Sequence, residues 1–140
     1  MNTIDLKNKR AVVTGGAQGF GLAITKRFIE SGARVAIWDK DEKALQNVEV
    51  KDIHKINVDV TSYESVDQAK KLTLDKFGSI DILVNNAVEA IPKSAMQLTV
   101  DEWDRSINVA ARALLLCAQQ AVPLMDGRTD GAIIHISSNG

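Results

Sequence analysis

Cysteine, proline and surplus charge are what this sequence has least of. Its one cysteine, Cys117, excludes an internal disulfide framework and a cysteine-cluster metal site, and no metal is expected. Two prolines and 9 glycines, in a chain that is 45% hydrophobic and 25% charged, exclude a disordered or low-complexity segment. Lys plus Arg number 17 against 18 Asp plus Glu, a net charge of −1, so there is no basic excess for a nucleic-acid or anionic-membrane surface. No apolar run comes near the ~20 residues of a membrane-spanning helix. No signal-peptide pattern opens the chain, so the expected setting is a reducing cytoplasm. Cys117 lies in the apolar run from Ala113 to Ala118 and reads as a small buried hydrophobe. The two histidines, His54 and His135, sit in strand-like runs far from it in sequence and offer it no base.

What is present is alternation. The 140 residues make one domain, with no repeat and no linker. Strands are expected at Arg10–Thr14, Arg34–Trp38, Ile53–Val58, Ile80–Val84 and Ala132–Ile136. Between them, helices are expected from Phe20 to Ser31, Asp41 to Asn47, Thr61 or Ser62 to Phe77, and about Val100 to Met125. Gly32 and Gly78 stand where a helix C-terminus favours glycine. The strands are nearly continuous in apolar residues, as in a parallel sheet covered on both faces. The expectation is an α/β fold, a doubly wound parallel sheet with right-handed crossovers and strand order 3-2-1-4-5.

The first strand runs into Thr14-Gly-Gly-Ala-Gln-Gly-Phe-Gly21. Glycine at such a turn admits backbone dihedrals and close approaches that a Cβ would block. The free N–H groups of the next helix then face an anionic group, helped by the helix dipole. An acid closes the second strand: Asp39 lies 18 residues past Gly21, near the ~20 expected of a carboxylate that takes the ribose hydroxyls of a dinucleotide. A carboxylate there repels a 2′-phosphate, so NAD(H) is favoured over NADP(H), with Lys40 next door as a softening influence. The plainer alternative is a glycine turn used only for tight strand–helix packing.

These motifs together resemble the classical short-chain dehydrogenase/reductase family. The cofactor turn matches the family's Thr-Gly-x-x-x-Gly-x-Gly, pointing to Thr14, Gly15, Gln18, Gly19, Phe20 and Gly21, with Asp39 and Lys40 beyond. Asp59-Val60 matches the pair after strand three that contacts adenine in the family. Asn85-Asn86-Ala87 matches most of Asn-Asn-Ala-Gly, so Asn86, Ala87 and Val88 are further candidates for cofactor contact. Ile136-Ser137-Ser138 matches the end of strand five, whose second serine is catalytic in the family. The resemblance implies hydride transfer between a nicotinamide and an alcohol or carbonyl carbon. A tyrosine serves there as general acid/base, a lysine lowers its pKa, a serine holds the substrate oxygen, and an asparagine supports a relay water.

The departures from that pattern bear on activity. Val88 replaces the glycine of Asn-Asn-Ala-Gly, and a branched side chain there narrows the space beside the cofactor. The family's asparagine falls seven residues after the aromatic that opens the long helix; counted from Trp103, that position is Ala110. Asn108 is the other candidate, but two residues on a helix are about 200° of rotation, so the two positions face different ways. The family's Tyr-x-x-x-Lys lies downstream of Ser138 and beyond Gly140, and the only tyrosine, Tyr63, opens an early helix. Ser138 is thus the catalytic remnant, or simply a strand-end polar residue. Residues 1–140 are read as a dinucleotide-binding domain, C-terminally incomplete relative to the family, lacking the last strands of its sheet.

Three functions stay open on this reading: an oxidoreductase of which this is the N-terminal portion, a non-enzymatic dinucleotide-binding or interaction module, and half of an assembly completed by another chain. A homo-oligomer or a completing chain would cover the long helix around 101–125 and the strand 132–136, which otherwise leave apolar surface wet. The segment Glu89 to Ala95 lines one wall of a substrate pocket at most.

Overall fold

The computed structural model describes residues 4–125, 127 and 130–137. Five parallel strands form one sheet in the order β3-β2-β1-β4-β5. They are β1 (Arg10–Thr14), β2 (Arg34–Asp39), β3 (Ile53–Asn57), β4 (Ile82–Asn85) and β5 (Ala132–His135). The helices are α1 (Gly19–Glu30), α2 (Glu42–Asn47), α3 (Tyr63–Phe77), α4 (Val100–Ile107) and α5 (Ala113–Ala121). The strand order and the parallel sense are those expected from the sequence.

Side chains alternate across a strand, so each strand feeds two cores. Ala11, Val13, Val35, Ile37 and Val84 face α1 and α2, meeting Leu22, Ile24, Phe28 and Leu45. Val12, Ala36, Trp38 and Leu83 face α3 and α5, meeting Val66, Ala69, Phe77, Ala113 and Cys117. The central strands β1, β2 and β4 are buried nearly throughout, which explains their unbroken apolar runs. The outer strands β3 and β5 are half-wet.

Local chemistry sets the ends. Ser62, rather than Thr61, caps α3 by accepting from the Ser65 N–H, and Gly78 ends it with φ +79°. Thr99 and Glu102 form a reciprocal capping box at the start of α4. Hydrogen bonds from Lys93 and from the Thr99 N–H hold the Glu102 carboxyl down to about 2.

Most element ends fall within a residue of expectation, and two elements depart from it further. The fourth strand begins at Ile82 instead of Ile80; just before it, the Asp81 carboxylate accepts the Arg10 backbone N–H at 2.8 Å and the guanidinium at 2.7 and 3.0 Å. The long helix is not one regular α-helix. A π-helical turn, Asn108–Arg112, joins α4 to α5, and a 3₁₀ turn, Val122–Leu124, follows. This stretch, Val100–Leu124, spans 25 residues with a window of mean hydropathy 1.3, long and apolar enough to cross a membrane by length and composition alone. That corrects the reading that nothing comes near spanning length: the uninterrupted apolar runs are short, but an average over a helix tolerates the residues that interrupt them. The same stretch turns Val109, Ala113, Leu116, Cys117 and Ala121 into the protein core.

Candidate functional site

The chain leaves β1 toward one face of the sheet and β4 toward the other, and a cleft opens where they diverge. It has a volume of about 350 Å³ and is lined at the carboxyl ends of the strands by Gly15, Gln18, Gly19 and Phe20, by Asp39 and Lys40, by Asp59 and Val60, and by Asn86, Ala87 and Val88. Of the cofactor candidates, Thr14 and Gly21 are absent from the lining and sit beneath it.

Their place explains their identity. Gly15 adopts φ +62°, and a Cβ on it would meet the Ala87 Cα at 3.0 Å. A Cβ on Gly21 would lie 2.0 Å from the Gly15 carbonyl oxygen, so only glycine lets α1 approach the turn this closely. The Thr14 hydroxyl accepts the Asn86 and Ala87 N–H groups, both at 3.0 Å. The Asn86 amide donates back to the carbonyls of Thr14 and Gly15 at 3.1 and 3.2 Å.

The N-terminus of α1 faces this cleft without a side-chain cap and without an acid in its first turn. By contrast α2, α3 and α4 are capped by Asp41, Ser62 and Thr99. The first N–H groups of α1 and the positive end of its dipole are therefore left to serve an anion from outside the helix.

Across the cleft, Asp39 is 7% exposed and already oriented. One carboxylate oxygen accepts the Ala17 N–H at 3.1 Å, the other the Asp41 N–H at 3.0 Å. Asp59 holds Thr61 through the backbone N–H at 2.9 Å and the hydroxyl at 2.7 Å. Val58, Val60 and Val109 supply an apolar wall beside it. Phe20 and Val88 stand at the rim, 81% and 71% exposed, so the Val88 side chain stands largely in solvent.

A second, adjoining pocket of about 330 Å³ is lined by Lys40, Asp59, Thr61, Glu89, Arg105, Asn108 and Val109. Glu89 binds Lys40 at 3.1 Å and Arg105 at 3.3 Å. Asn108 thus lies on the side of β2 and β3, whereas Ala110 is exposed. The 200° count assumed a regular helix, which the π-helical turn does not provide, yet the two side chains still occupy different surroundings.

Ser138 lies outside the described residues. At the neighbouring strand ends, the Asn85 amide nitrogen is 3.2 Å from His135 Nδ1. Tyr63 is half exposed at the start of α3. Cys117 is fully buried and burial pushes its thiol up to about 12, so it is inert packing and not a nucleophile. Among the described residues, no group of three or more His, Cys, Asp or Glu is placed to hold a metal ion.

Sequence reasoning missed Trp38, Asp41, Val58 and Val109 as lining residues. The signal was available for the first three, since they sit at or just past strand ends, where ligands bind in this topology. Glu89, expected at most on a substrate wall, faces Lys40 and Arg105.

Comparison with known proteins agrees with this geometry. A crystal structure of 3-ketoacyl-(acyl-carrier-protein) reductase from Brucella melitensis complexed with NADH superposes with a TM-score of 0.89 at 31% identity, over 96% of this chain and 59% of that one. An uncharacterized oxidoreductase of Staphylococcus aureus strain USA300 is 36% identical over 137 residues, covering 95% of this chain and 59% of that protein. Another from Thermotoga maritima is 36% identical over 139 residues, covering 95% and 54%. The chain thus spans somewhat more than half the length of the relatives it matches. The family model for short chain dehydrogenases matches residues 9–140, and with the parallel sheet and the glycine turn in place beneath the cleft, the chain belongs to that family.

Proposed function

We propose that this chain is the NAD(H)-binding portion of an oxidoreductase that moves a hydride between a nicotinamide and an alcohol or carbonyl carbon. The observation that carries the reading is the cradle formed by Gly15, Gly21 and the uncapped start of α1, opposite an oriented Asp39. The α1 N-terminus binds the pyrophosphate, and Asp39 accepts from the ribose hydroxyls and repels a 2′-phosphate, which favours NAD(H) over NADP(H). Val58, Val60 and Val109 flank the adenine beside Asp59. When bound, the nicotinamide supplies hydride chemistry that no side chain can.

These 140 residues alone bind the dinucleotide without turning it over. They contain neither Tyr-x-x-x-Lys nor an asparagine at position 110, so the general acid/base and its support are missing. A fully buried free thiol at Cys117 fits a reducing, cytoplasmic setting. Titration of the purified chain with NADH, followed by the enhancement of dinucleotide fluorescence, should saturate. Absence of saturable binding overturns the reading, and steady hydride transfer by the 140-residue chain overturns the claim that it is not catalytic.

One observation favours completion by further polypeptide, either a second copy or another chain. Leu115 and Val122 on the helical stretch, with Ile134 and Ile136 at the β5 edge, stay exposed. Light scattering of the purified chain should then show self-association, or a monomer whose stability rises when a C-terminal segment is supplied in trans.

A further inference from the structure

The cleft lining carries three carboxylates, Asp39, Asp41 and Asp59, and one cation, Lys40. That cation follows directly the acid that selects the ribose. A lysine in this position is the group a 2′-phosphate would recruit, being a compact charge on a flexible stem. In this structure Lys40 points elsewhere: its Nζ donates to Glu89 Oε2 at 3.1 Å, across the boundary between the cleft and the adjoining pocket.

Glu89 is held for this task. Its second oxygen is 3.3 Å from Arg105 Nε, and its backbone carbonyl accepts the Ser106 hydroxyl at 2.8 Å. The loop after β4 is therefore pinned to α4, and the carboxylate is presented to both neighbouring cations. We propose that Glu89 is a specificity-determining residue for the dinucleotide: held in turn by Arg105, it sequesters Lys40 from a 2′-phosphate, and so adds to the discrimination that Asp39 exerts directly. The proposal rests on reading the cleft as the dinucleotide site. It assigns to Glu89 a role in the choice between two cofactors and not in binding as such.

The test is a titration of the chain with NADH and with NADPH, on the wild type, Glu89→Gln, Glu89→Ala and the double variant Glu89→Gln/Lys40→Ala. Freed from Glu89, Lys40 becomes available for a charge-assisted bond to the phosphate, and the ratio of NADPH to NADH affinity should rise about tenfold in both single variants. Most of that rise should vanish in the double variant, because Lys40 is the group released. NADH binding by the single variants reports that they are folded. A ratio that does not move, or a rise that survives loss of Lys40, overturns the proposal while leaving the cleft a dinucleotide site. A wild type that binds neither dinucleotide overturns the site reading itself, and the proposal with it.

Discussion

Thr14 and Asn86 bond each other twice: the Thr14 hydroxyl accepts the Asn86 N–H at 3.0 Å, and the Asn86 amide donates to the Thr14 carbonyl at 3.1 Å. This reciprocal pair ties the end of β4 to the glycine turn after β1, and the same amide also reaches Gly15 at 3.2 Å. Asn86→Ala should lower stability by about 1–3 kcal/mol, since two carbonyls lose their donor. Asn86→Asp should be worse, because a carboxylate would then face two carbonyl oxygens. Urea midpoints for the three proteins check both the loss and the order.

Gly21→Ala sets two effects against each other. Alanine is the better helix former by about 1 kcal/mol. Its Cβ, however, would fall 2.0 Å from the backbone oxygen of Gly15, and backbone cannot swing aside as a side chain can. Overpacking of this kind costs about 1–3 kcal/mol or more, and here it also shifts the turn. NADH binding should be lost, and thermal melting should show a net destabilisation instead of the gain that propensity alone would give.

Asp39→Ala should weaken NADH binding about 10–100-fold, the range for losing a hydrogen bond to a charged group. It also strands the Ala17 and Asp41 N–H groups that the carboxylate now serves. Asp39→Asn keeps acceptor capacity without the charge, and should narrow the gap between NADH and NADPH. Parallel fluorescence titrations of the two variants separate geometry from charge.

His54 packs against Phe77 with ring centroids 6.1 Å apart, and its Nε2 is buried without a partner. Burial first, then the charge of Lys76, pushes its pKa down from 6.5, against a backbone hydrogen bond at Leu72 that raises it. A group protonated more readily in the unfolded chain stabilises the fold at high pH and withdraws that support as pH falls. Stability should therefore be full above pH 6.5 and decline as the pH falls through the depressed folded value. His54→Asn should flatten that decline, as measured by urea midpoints at pH 7 and pH 5.

Cys117 should not react with a thiol reagent such as DTNB in the native protein at pH 8, and should react fully in urea. Both the lack of exposure and the raised thiol pKa act in the same direction. Rapid native labelling would mean that α5 lifts readily from the sheet.

The sheet was legible because central parallel strands must be apolar on both faces, and β1, β2 and β4 write that requirement directly into the chain. The glycine turn was legible for a similar reason: Gly15 and Gly21 answer to backbone constraints that no other residue meets. What stayed hidden depends on how distant segments approach in space. Lys40 and Glu89 are 49 residues apart, and nothing in either loop announces the partner. The π-helical turn at Asn108–Arg112 leaves no compositional mark, so the helix read as regular.

Among the described residues, those that line the cleft fall between Gly15 and Val109. The strands that form its floor are β1, β2, β3 and β4, and β5 joins β4 on the side away from β1. Synthesis proceeds from the N-terminus, and folding units assemble as they emerge. These described parts of the cleft have therefore been made before β5 is translated. A dinucleotide that engaged this emerging unit, as the proposed function implies, would stabilise it by mass action before the sheet is finished.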